Sequence, residues 1–300
     1  MFERLTDEPI LGPAALPGCN TIFNPGACIV DGKTVLALRV EDRRGMSSIH
    51  IARSDDGVHD WELDHEPLLV GDPAEASCEW GFEDARLTYL DEIGAYVIAC
   101  TAYGRGGPCV YLATTKDFRT VERIGIVIPP EDKNAVVFPR RIDGEWRMLH
   151  RPVVQQSGAA DVWISSSNDL RTWGNAHHVM GCRPGGWWDS RRIGAGPPPL
   201  ETEAGWLLIY HGVRETTSGS LYRAGLALLD LEEPHRVVAR AERWVLAPET
   251  GWERRGDVPN VVFPTGATVV DGYVRLYYGA ADTCVGIAGC PLSELLEALT

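Results

Sequence analysis

Five β-rich stretches of the chain each end in a large apolar residue followed by a small one. The pairs are Ile51-Ala52, Leu112-Ala113, Ile164-Ser165, Leu226-Ala227 and Ile287-Ala288. The spacing from one small residue to the next is 61, 52, 62 and 61 residues. A period of this kind indicates one supersecondary unit repeated five times. Short acidic turns follow, as at Asp56 and Asp117, because Asp side chains bond the local backbone in tight turns.

Each repeat contains several short strands and almost no helix. Antiparallel sheets repeated radially around a channel form a β-propeller, so the pattern predicts an all-β, five-bladed β-propeller. We expect residues 1–300 to form this single domain, because no linker or low-complexity stretch divides the chain. One helix is predicted over residues 291–299, where the spacing of the Leu residues gives an apolar face.

Composition and charge narrow the classes of partner. The chain is 44% hydrophobic and has a formal net charge of −14. The negative charge argues against a nucleic-acid partner, because binding to phosphate backbones requires a basic surface. The N-terminus carries acids where a signal peptide needs an apolar core, and no run of about 20 apolar residues exists. We therefore expect a cytoplasmic protein with no membrane partner.

The eight cysteines show no metal-binding or redox spacing. None forms a Cys-x-x-Cys pair, and no His-x-x-x-His partner accompanies them. Zinc sites and redox motifs need such spacings. We expect free thiols and no metal site.

A charged cluster follows the first apolar strand. Arg39 directly follows the run Thr34 to Leu38, and Glu41 and Asp42 come next. Residues two apart in a strand share a face, so Arg39 and Glu41 should point together. An Arg and a carboxylate side by side bind sugar hydroxyls, but structural ion pairs are as common, and both readings remain open.

Two adjacent carboxylates precede a later strand. Glu83 and Asp84 should face opposite sides of extended chain, so that one enters the channel. A carboxyl group that protonates a leaving oxygen needs a raised pKa, which Trp80 or Phe82 beside it would supply through desolvation. The alternative is a structural pair between Asp84 and Arg86.

Basic residues gather in the second and third repeats, at Arg105, Arg123, Lys133 and His150. Arg binds phosphate oxygens bidentately and Lys acts as a point charge, so together they suit a phosphate site. Each residue also has a structural interpretation. Arg105 would lie at the tip of a turn, Arg123 would pair with Glu122, and His150 would be a buried residue whose hydrogen bonds are satisfied.

A series of motifs in order along nearly the whole chain resembles the β-mannoside phosphorylases of glycoside hydrolase family 130. The motifs are Asn24-Pro25-Gly26-Ala27, Arg39 to Arg43, Phe82-Glu83-Asp84-Ala85-Arg86, Asp132-Lys133 with Phe138-Pro139, His150-Arg151-Pro152, Gly194 to Pro199, Trp206 with Tyr210-His211-Gly212, Gly256 to Pro264, and Tyr277 to Asp282. Nine motifs with compatible spacing are highly specific. The resemblance also implies a five-bladed propeller.

The resemblance implies inverting phosphorolysis of a terminal β-linked mannose, which releases mannose 1-phosphate and a shortened sugar. Asp84 matches the single acid of that family, which protonates the glycosidic oxygen through the mannose 3-hydroxyl. The implied phosphate ligands are Arg105, Arg123, Lys133 and His150. The implied sugar ligands are Asn24, Arg39, Asp42, Lys133, His211 and Asp282. Inorganic phosphate is the co-substrate and no cofactor is implied.

One position departs from the family pattern, and two other functions stay open. Ala85 stands where the family usually has Pro, which would fix the backbone next to the acid. A β-mannosidase on the same fold is the first alternative, and a non-catalytic carbohydrate-binding propeller is the second. A homo-oligomer is compatible with either. Residues 183–192 and 214–222 are expected to shape the acceptor side, with Trp188 as an exposed stacking surface for a sugar ring.

Overall fold

The computed structural model describes residues 1–153 and 160–299, and nearly all regular structure within them is β-strand. The chain begins with a two-residue strand, β1 (Glu3–Arg4), and a 3-10 turn at Pro13–Ala15. The first blade then follows as β2 (Cys19–Val30), β3 (Lys33–Asp42) and β4 (Ser47–Ser54), with the short strands β5 (Glu62–Leu63) and β6 (Leu69–Val70) paired to β4.

Three further blades follow the same antiparallel order from the first strand outward. Blade II contains β7 (Gly81–Leu90), β8 (Ala95–Tyr103), β9 (Cys109–Thr115) and β10 (Glu122–Ile128), with a 3-10 turn at Asp91–Ile93. Blade III contains β11 (Asp132–Val137), β12 (Trp146–Pro152), β13 (Val162–Ser167) and β14 (Gly174–Met180). Blade IV contains β15 (Arg192–Ala195), β16 (Leu200–Thr202), β17 (Gly205–Thr216), β18 (Gly219–Leu229) and β19 (Val237–Arg240).

The last blade joins the two ends of the chain. After a short helix, α1 (Gly251–Arg254), blade V contains β20 (Val262–Val270), β21 (Tyr273–Ala280) and β22 (Cys284–Pro291), and β1 supplies its outer strand by antiparallel pairing with β22. The predicted C-terminal helix is present as α2 (Leu292–Glu297), which buries Leu295. No helix within the described ranges is both long and apolar enough to cross a membrane.

The fold is the predicted five-bladed β-propeller. The first strands β2, β7, β11, β15 and β20 surround the channel, and blades I and II also share one parallel bridge between Ser47 and Gly81. The core consists of five apolar layers, each lying between two successive blades. Both faces of each blade are thus buried, which is why so many strands are apolar on both sides.

The repeated apolar-small pair has a packing explanation. In each blade the pair lies on the third strand, β4, β9, β13, β18 or β22. The large residue packs toward the next blade, as Ile51 does toward blade II, and the small residue faces the preceding blade, as Ala52 does toward blade V. Two blades approach closely at the small residue, so the sequence period records the contact between blades.

The predicted acidic turns are also present. The Asp56 carboxylate accepts hydrogen bonds from the backbone N–H groups of Val58 and His59, each at 2.8 Å. The carboxylates of Asp117, Asp169 and Asp230 accept hydrogen bonds in the same way, from the backbone N–H groups two and three positions later. In blades I to IV, the Asp after the third strand therefore closes the connection that follows.

A buried ion pair fixes the N-terminal strand to blade V. Arg4 donates from Nε and Nη2 to the two carboxylate oxygens of Glu253, both at 2.8 Å. The Glu253 side chain is fully buried and also accepts hydrogen bonds from the Tyr278 hydroxyl and the backbone N–H of Thr250. These contacts connect β1, α1 and β21 where the ring closes.

We expect Arg4→Ala to lower the free energy of unfolding by about 3–5 kcal/mol, because it leaves a buried carboxylate without its cation. Urea titration measures this loss. The control is Arg44→Ala, which removes an exposed pair with Asp42 and should cost less than about 1 kcal/mol. Equal losses in the two variants would mean that closure does not depend on the Arg4 pair.

Candidate active site in the central channel

A polar cavity of about 170 Å³ lies in the channel, and all five blades line it. Blades I and II contribute Asn24, Arg39 and Asp84, and Asp282 lies between the last two strands of blade V. Blades III and IV contribute Lys133, Asn134, Arg151, Arg192 and Tyr222, and Phe263 of blade V completes the lining. Blades III and IV therefore supply three of the four cationic side chains of the lining, and we call their side of the cavity the cationic wall.

Bulges in the first strands aim three of these side chains into the cavity. Asn24, Asp84 and Asn134 have φ angles of 46°, 53° and 55°, in the left-handed region. Each lies where the register with the second strand shifts, in β2, β7 and β11 respectively. A bulge inserts a residue and redirects its side chain, and Asn and Asp tolerate the left-handed backbone better than most residues.

The bulge in β7 overturns the expectation that Glu83 and Asp84 face opposite sides. Arg39 donates from Nη2 to Glu83 Oε1 at 3.0 Å and from Nη1 to Asp84 Oδ1 at 3.2 Å. Both carboxylates therefore point toward one guanidinium group. Simple strand alternation fails here because the register shifts between Glu83 and Arg86.

Asp84 is a buried carboxylate that its neighbours keep ionised. Its side chain accepts a second hydrogen bond from Asn24 Nδ2 at 2.8 Å, and the residue is 6% exposed. Burial favours the neutral acid, but the charges of Arg39, Arg86 and Lys133 and the Asn24 hydrogen bond outweigh it, so the pKa of Asp84 lies below its ordinary value. The expectation of a raised pKa is therefore wrong.

Glu83 connects the two cations on either side of Asp84. Lys133 Nζ donates to Glu83 Oε2 at 3.0 Å, while Arg39 bonds the other oxygen. Arg39 also pairs with Glu41, as its spacing predicted. Glu83 thus fixes the positions of Arg39 and Lys133 and does not line the cavity itself.

Asp282 is the carboxyl group of the cavity that retains a proton near neutral pH. Burial raises the pKa of Asp282 to about 7, and the negative charge of Asp84 acts in the same direction. Asp282 lines the cavity and has a left-handed φ of 48°. The two carboxyl groups therefore differ in protonation, with Asp84 ionised and Asp282 partly protonated at pH 7.

Arg151 is a buried cation without a carboxylate partner. It is 8% exposed, and none of the ion pairs among the described residues includes it. Its guanidinium group donates from Nη1 to His211 Nε2 at 3.4 Å. Burial and the positive charge of Arg192 lower the pKa of Arg151. A buried, uncompensated guanidinium in a polar cavity favours an anionic ligand.

Neutral and aromatic groups support this cationic wall. Burial and the charges of Arg151 and Arg86 lower the pKa of His211 far below its usual value, so its ring is neutral and accepts from Arg151. His211 packs against Phe263 at 4.5 Å between ring centroids. Arg192 stacks over Tyr222 at 5.9 Å and donates to Glu215 at 2.7 Å. His211, predicted as a sugar ligand, therefore lies behind Arg151 and outside the cavity lining.

Five of the predicted site residues meet in the cavity: Asn24, Arg39, Asp84, Lys133 and Asp282. Two of the predicted phosphate ligands lie elsewhere. Arg105 is on the surface, with 68% of its side chain exposed, and forms an ion pair with Glu79. Arg123 starts the outer strand of blade II, donates to the Val70 carbonyl at 3.3 Å and lies over the Phe82 ring. Both predictions are therefore corrected, because neither residue lines the channel.

His150 and Asp42 also have structural positions. His150 is buried between Asp132, whose Oδ2 lies 2.7 Å from Nδ1, and Ser165, whose Oγ lies 2.9 Å from Nε2. Asp132 accepts in addition from the backbone N–H of Arg151 at 3.1 Å, so His150 fixes β11 to β12 beside Arg151. Asp42 accepts from the backbone N–H groups of Arg44 and Met46 and closes the turn after β3.

Sequence reasoning gave Asn134, Arg151 and Phe263 no role in the cavity, and it expected Arg192 and Tyr222 only within the two stretches at the acceptor side. A signal existed for Arg151. It pairs with Lys133, the residue before Asn134, just as Arg39 pairs with Phe23, the residue before Asn24. Trp188, expected as an exposed stacking surface, is buried against Tyr210.

Comparison with known proteins gives consistent results. The family model described as beta-1,4-mannooligosaccharide phosphorylase matches residues 12–300. The chain is 37% identical to a beta-1,4-mannooligosaccharide phosphorylase of Ruminococcus albus, over 98% of this chain and 89% of the relative. Its structure is similar to the beta-1,2-mannobiose phosphorylase of Listeria innocua in complex with beta-1,2-mannobiose, with a TM-score of 0.90, 32% identity and 99% coverage of both chains.

A second similar structure bears on the reaction type. It is described with the words "The GH130 family of mannoside phosphorylases contains glycoside hydrolases that target beta-1,2 mannosidic linkages in Candida mannan". The TM-score is 0.86 at 26% identity, over 96% of this chain and 93% of that one. With the family model spanning almost the whole sequence, this protein belongs to glycoside hydrolase family 130.

Proposed function

We propose that this protein catalyses inverting phosphorolysis of a terminal β-linked mannose in a β-mannoside, with inorganic phosphate as the co-substrate and no further cofactor. The products are α-mannose 1-phosphate and the shortened sugar. One observation carries the proposal: Arg151 is a buried cation that forms no ion pair within residues 1–153 and 160–299, and it lies in the same cavity as Asp84. Phosphorylases of β-1,2- and β-1,4-mannosides among the relatives support it.

The cationic wall supplies the phosphate site of this proposal. Arg151 and Arg192 offer guanidinium donors suited to two phosphate oxygens, and Lys133 adds a point charge. We assign phosphate to these three residues and Tyr222, in place of Arg105, Arg123 and His150. A phosphate oxygen attacks the anomeric carbon on the side opposite the leaving oxygen, so the reaction needs one proton donor and no second carboxylate as base.

Asp84 is the proton donor in this proposal, and phosphate controls its charge. Without phosphate, the surrounding cations keep Asp84 ionised. A bound phosphate adds negative charge beside Lys133 and Arg151, which raises the pKa of Asp84 because a nearby like charge favours the neutral acid. The proton then passes to the leaving oxygen, through the mannose 3-hydroxyl as the resemblance implies, while the bond from that oxygen to the anomeric carbon breaks.

The remaining side chains hold the sugar. Asn24, Arg39 and Asp282 line the wall beside Asp84 and offer both donors and acceptors to mannose hydroxyl groups. A partly protonated Asp282 can donate as well as accept, which suits a ring with several hydroxyl groups. Phe263 provides an apolar ring in the same cavity.

Hydrolysis is the second candidate, and one observation favours it. Asp282 has a pKa raised to about 7, in the range suited to a general base that activates water. A similar structure, described in terms of glycoside hydrolases within the family, keeps the same fold. Hydrolysis would leave the unpaired Arg151 without a role, so phosphorolysis explains more of the cavity.

We also propose a cytoplasmic location and a single catalytic unit over residues 1–300. All eight cysteines are free, as expected in a reducing compartment. The pairing of β1 with β22 joins the two ends of the chain in one blade. Because the last blade needs strands from both ends of the chain, residues 1–300 act as one unit.

The test of the proposed reaction is its phosphate dependence. With β-1,2- and β-1,4-mannobiose as substrates, we expect mannose 1-phosphate to form only when inorganic phosphate is present. Asp84→Asn should lower kcat by about 10²–10⁴, because it removes the proton donor. Free mannose formed at a rate independent of phosphate would replace phosphorolysis with hydrolysis.

Replacement of Arg151 separates phosphate binding from sugar binding. A hydrogen bond to a charged group contributes about 1.5–3 kcal/mol, so we expect Arg151→Ala to raise the KM for phosphate about tenfold to hundredfold. The KM for mannobiose should change less than about twofold. Arg105→Ala and Arg123→Ala are the controls, because both arginines lie outside the cavity lining. A raised phosphate KM in either control, with Arg151→Ala unaffected, would return the phosphate site to those residues.

The raised pKa of Asp282 makes stability depend on pH. The folded state binds this proton up to about pH 7, whereas the unfolded chain loses it near pH 4, so Asp282 lowers stability as the pH rises from 4 to 7. We expect the Tm of Asp282→Asn to exceed that of the wild type at pH 8 and the difference to shrink toward pH 4. A difference independent of pH, measured by calorimetry, would mean that folding does not raise the pKa of Asp282.

A further inference from the structure

A second and larger concave site lies on blade IV, outside the channel. It has a volume of about 850 Å³, within the range of small-molecule sites. Its lining includes Trp187, Trp244, Arg214, Arg223, Glu242 and Arg243, and we call it the tryptophan groove. None of these residues lines the catalytic cavity.

Two indole rings in the groove are exposed and held in place. Trp187 is 40% exposed and Trp244 is 45% exposed, unlike most aromatic residues of this chain. Arg223 stacks over the Trp244 ring at 4.1 Å, and Arg183 stacks over the Trp187 ring at 4.6 Å. Stacked guanidinium groups restrict the rotation of the rings. Fixed, exposed indoles provide flat apolar surfaces of the kind that sugar rings contact.

The groove also carries positive charge without matching carboxylates. Within the described residues, Arg214, Arg223 and Arg243 take part in none of the ion pairs, although the protein has a net charge of −14. Arg223 Nε is buried and has no hydrogen-bond partner. Burial and the charge of Arg214 lower the pKa of Arg223. An anion would relieve this repulsion, and Glu242 is the one carboxylate of the lining.

The groove and the catalytic cavity lie on opposite faces of one hairpin. In the β17–β18 hairpin, Tyr222 faces the cavity and the next residue, Arg223, faces the groove. Arg214 follows Val213, the register partner of Tyr222, and also lines the groove. Alternation along the strands therefore separates the two sites without any shared side chain.

We propose that the tryptophan groove is a second binding site for a sugar phosphate, with the sugar ring on Trp187 or Trp244 and the phosphate on Arg214 and Arg223. The ring surfaces select a cyclic ligand, and the unpaired guanidinium groups select its anion. The choice of mannose 1-phosphate as the ligand rests on the proposed function, because it is the product of that reaction. The inference that the ligand combines a sugar ring with a phosphate group does not depend on the proposed function.

The indole N–H signals of Trp187 and Trp244 in a nitrogen-15 correlation spectrum report on the groove, because neither ring lines the catalytic cavity. The Trp187→Phe and Trp244→Phe variants assign the two signals. We expect added mannose 1-phosphate to shift both signals in the wild type and equally in Arg151→Ala, whose catalytic cavity is impaired. The measurement does not require turnover, so it holds whether or not the protein is a phosphorylase.

Variants of the groove and the two separate parts of the ligand test which groups bind the sugar phosphate. Arg214→Ala should weaken the mannose 1-phosphate titration of these signals at least tenfold, whereas Arg44→Ala, at an exposed pair elsewhere, should leave it unchanged. Inorganic phosphate and mannose alone should each bind at least tenfold more weakly than the sugar phosphate.

Three outcomes would overturn the proposal. In the first, neutral mannohexaose shifts the indole signals and mannose 1-phosphate does not, which would make the groove a surface for neutral oligosaccharides. In the second, inorganic phosphate binds as tightly as the sugar phosphate. In the third, the signals shift only with protein concentration and sedimentation shows a dimer that Trp244→Ala dissociates, which would make the groove an interface between two copies.

Discussion

The charge balance around Asp84 is the interaction on which the rest of the site depends. A carboxylate that is 6% exposed stays ionised because Arg39 and Asn24 bond it and Arg86 and Lys133 lie nearby. The cationic wall lies in the same cavity, and its Arg151 forms no ion pair among the described residues. In the proposed reaction, the proton donor and the phosphate site are therefore coupled through shared positive charges, and each changes the charge state of the other.

The propeller places side chains at equivalent positions of successive blades around the channel, and local differences between the blades produce this charge balance. Bulges in the first strands of three blades aim Asn24, Asp84 and Asn134 inward from equivalent positions. Arg39 and Arg151 occupy matching places on the second strands of blades I and III. Arg39 meets three carboxylates, whereas Arg151 meets none among the described residues, so one blade holds carboxyl groups and the equivalent place in another leaves a cation available to an anion.

Much of the fold could be predicted from the sequence, because the apolar-small pair records the contact between blades once in every repeat. The cavity was harder to predict. Strand alternation placed Glu83 and Asp84 on opposite sides, but a bulge, which leaves no mark in the hydrophobic pattern, brought them to one guanidinium. Arg105 and Arg123 lie close to the expected region in sequence, yet a loop and an outer strand carry them away from the axis. Tyr222 and Arg192 reach the channel because both pair with Val213 across the sheet. No local motif reveals this pairing.

The central claim is that phosphate sets the protonation of Asp84. Carbon-13 NMR of the Asp84 carboxyl group, assigned with Asp84→Asn and titrated with and without saturating inorganic phosphate, tests it most directly. We expect a low titration midpoint in the free protein and a clearly higher one with phosphate bound, with no increase in Arg151→Ala. An identical midpoint in the presence and absence of bound phosphate would contradict it.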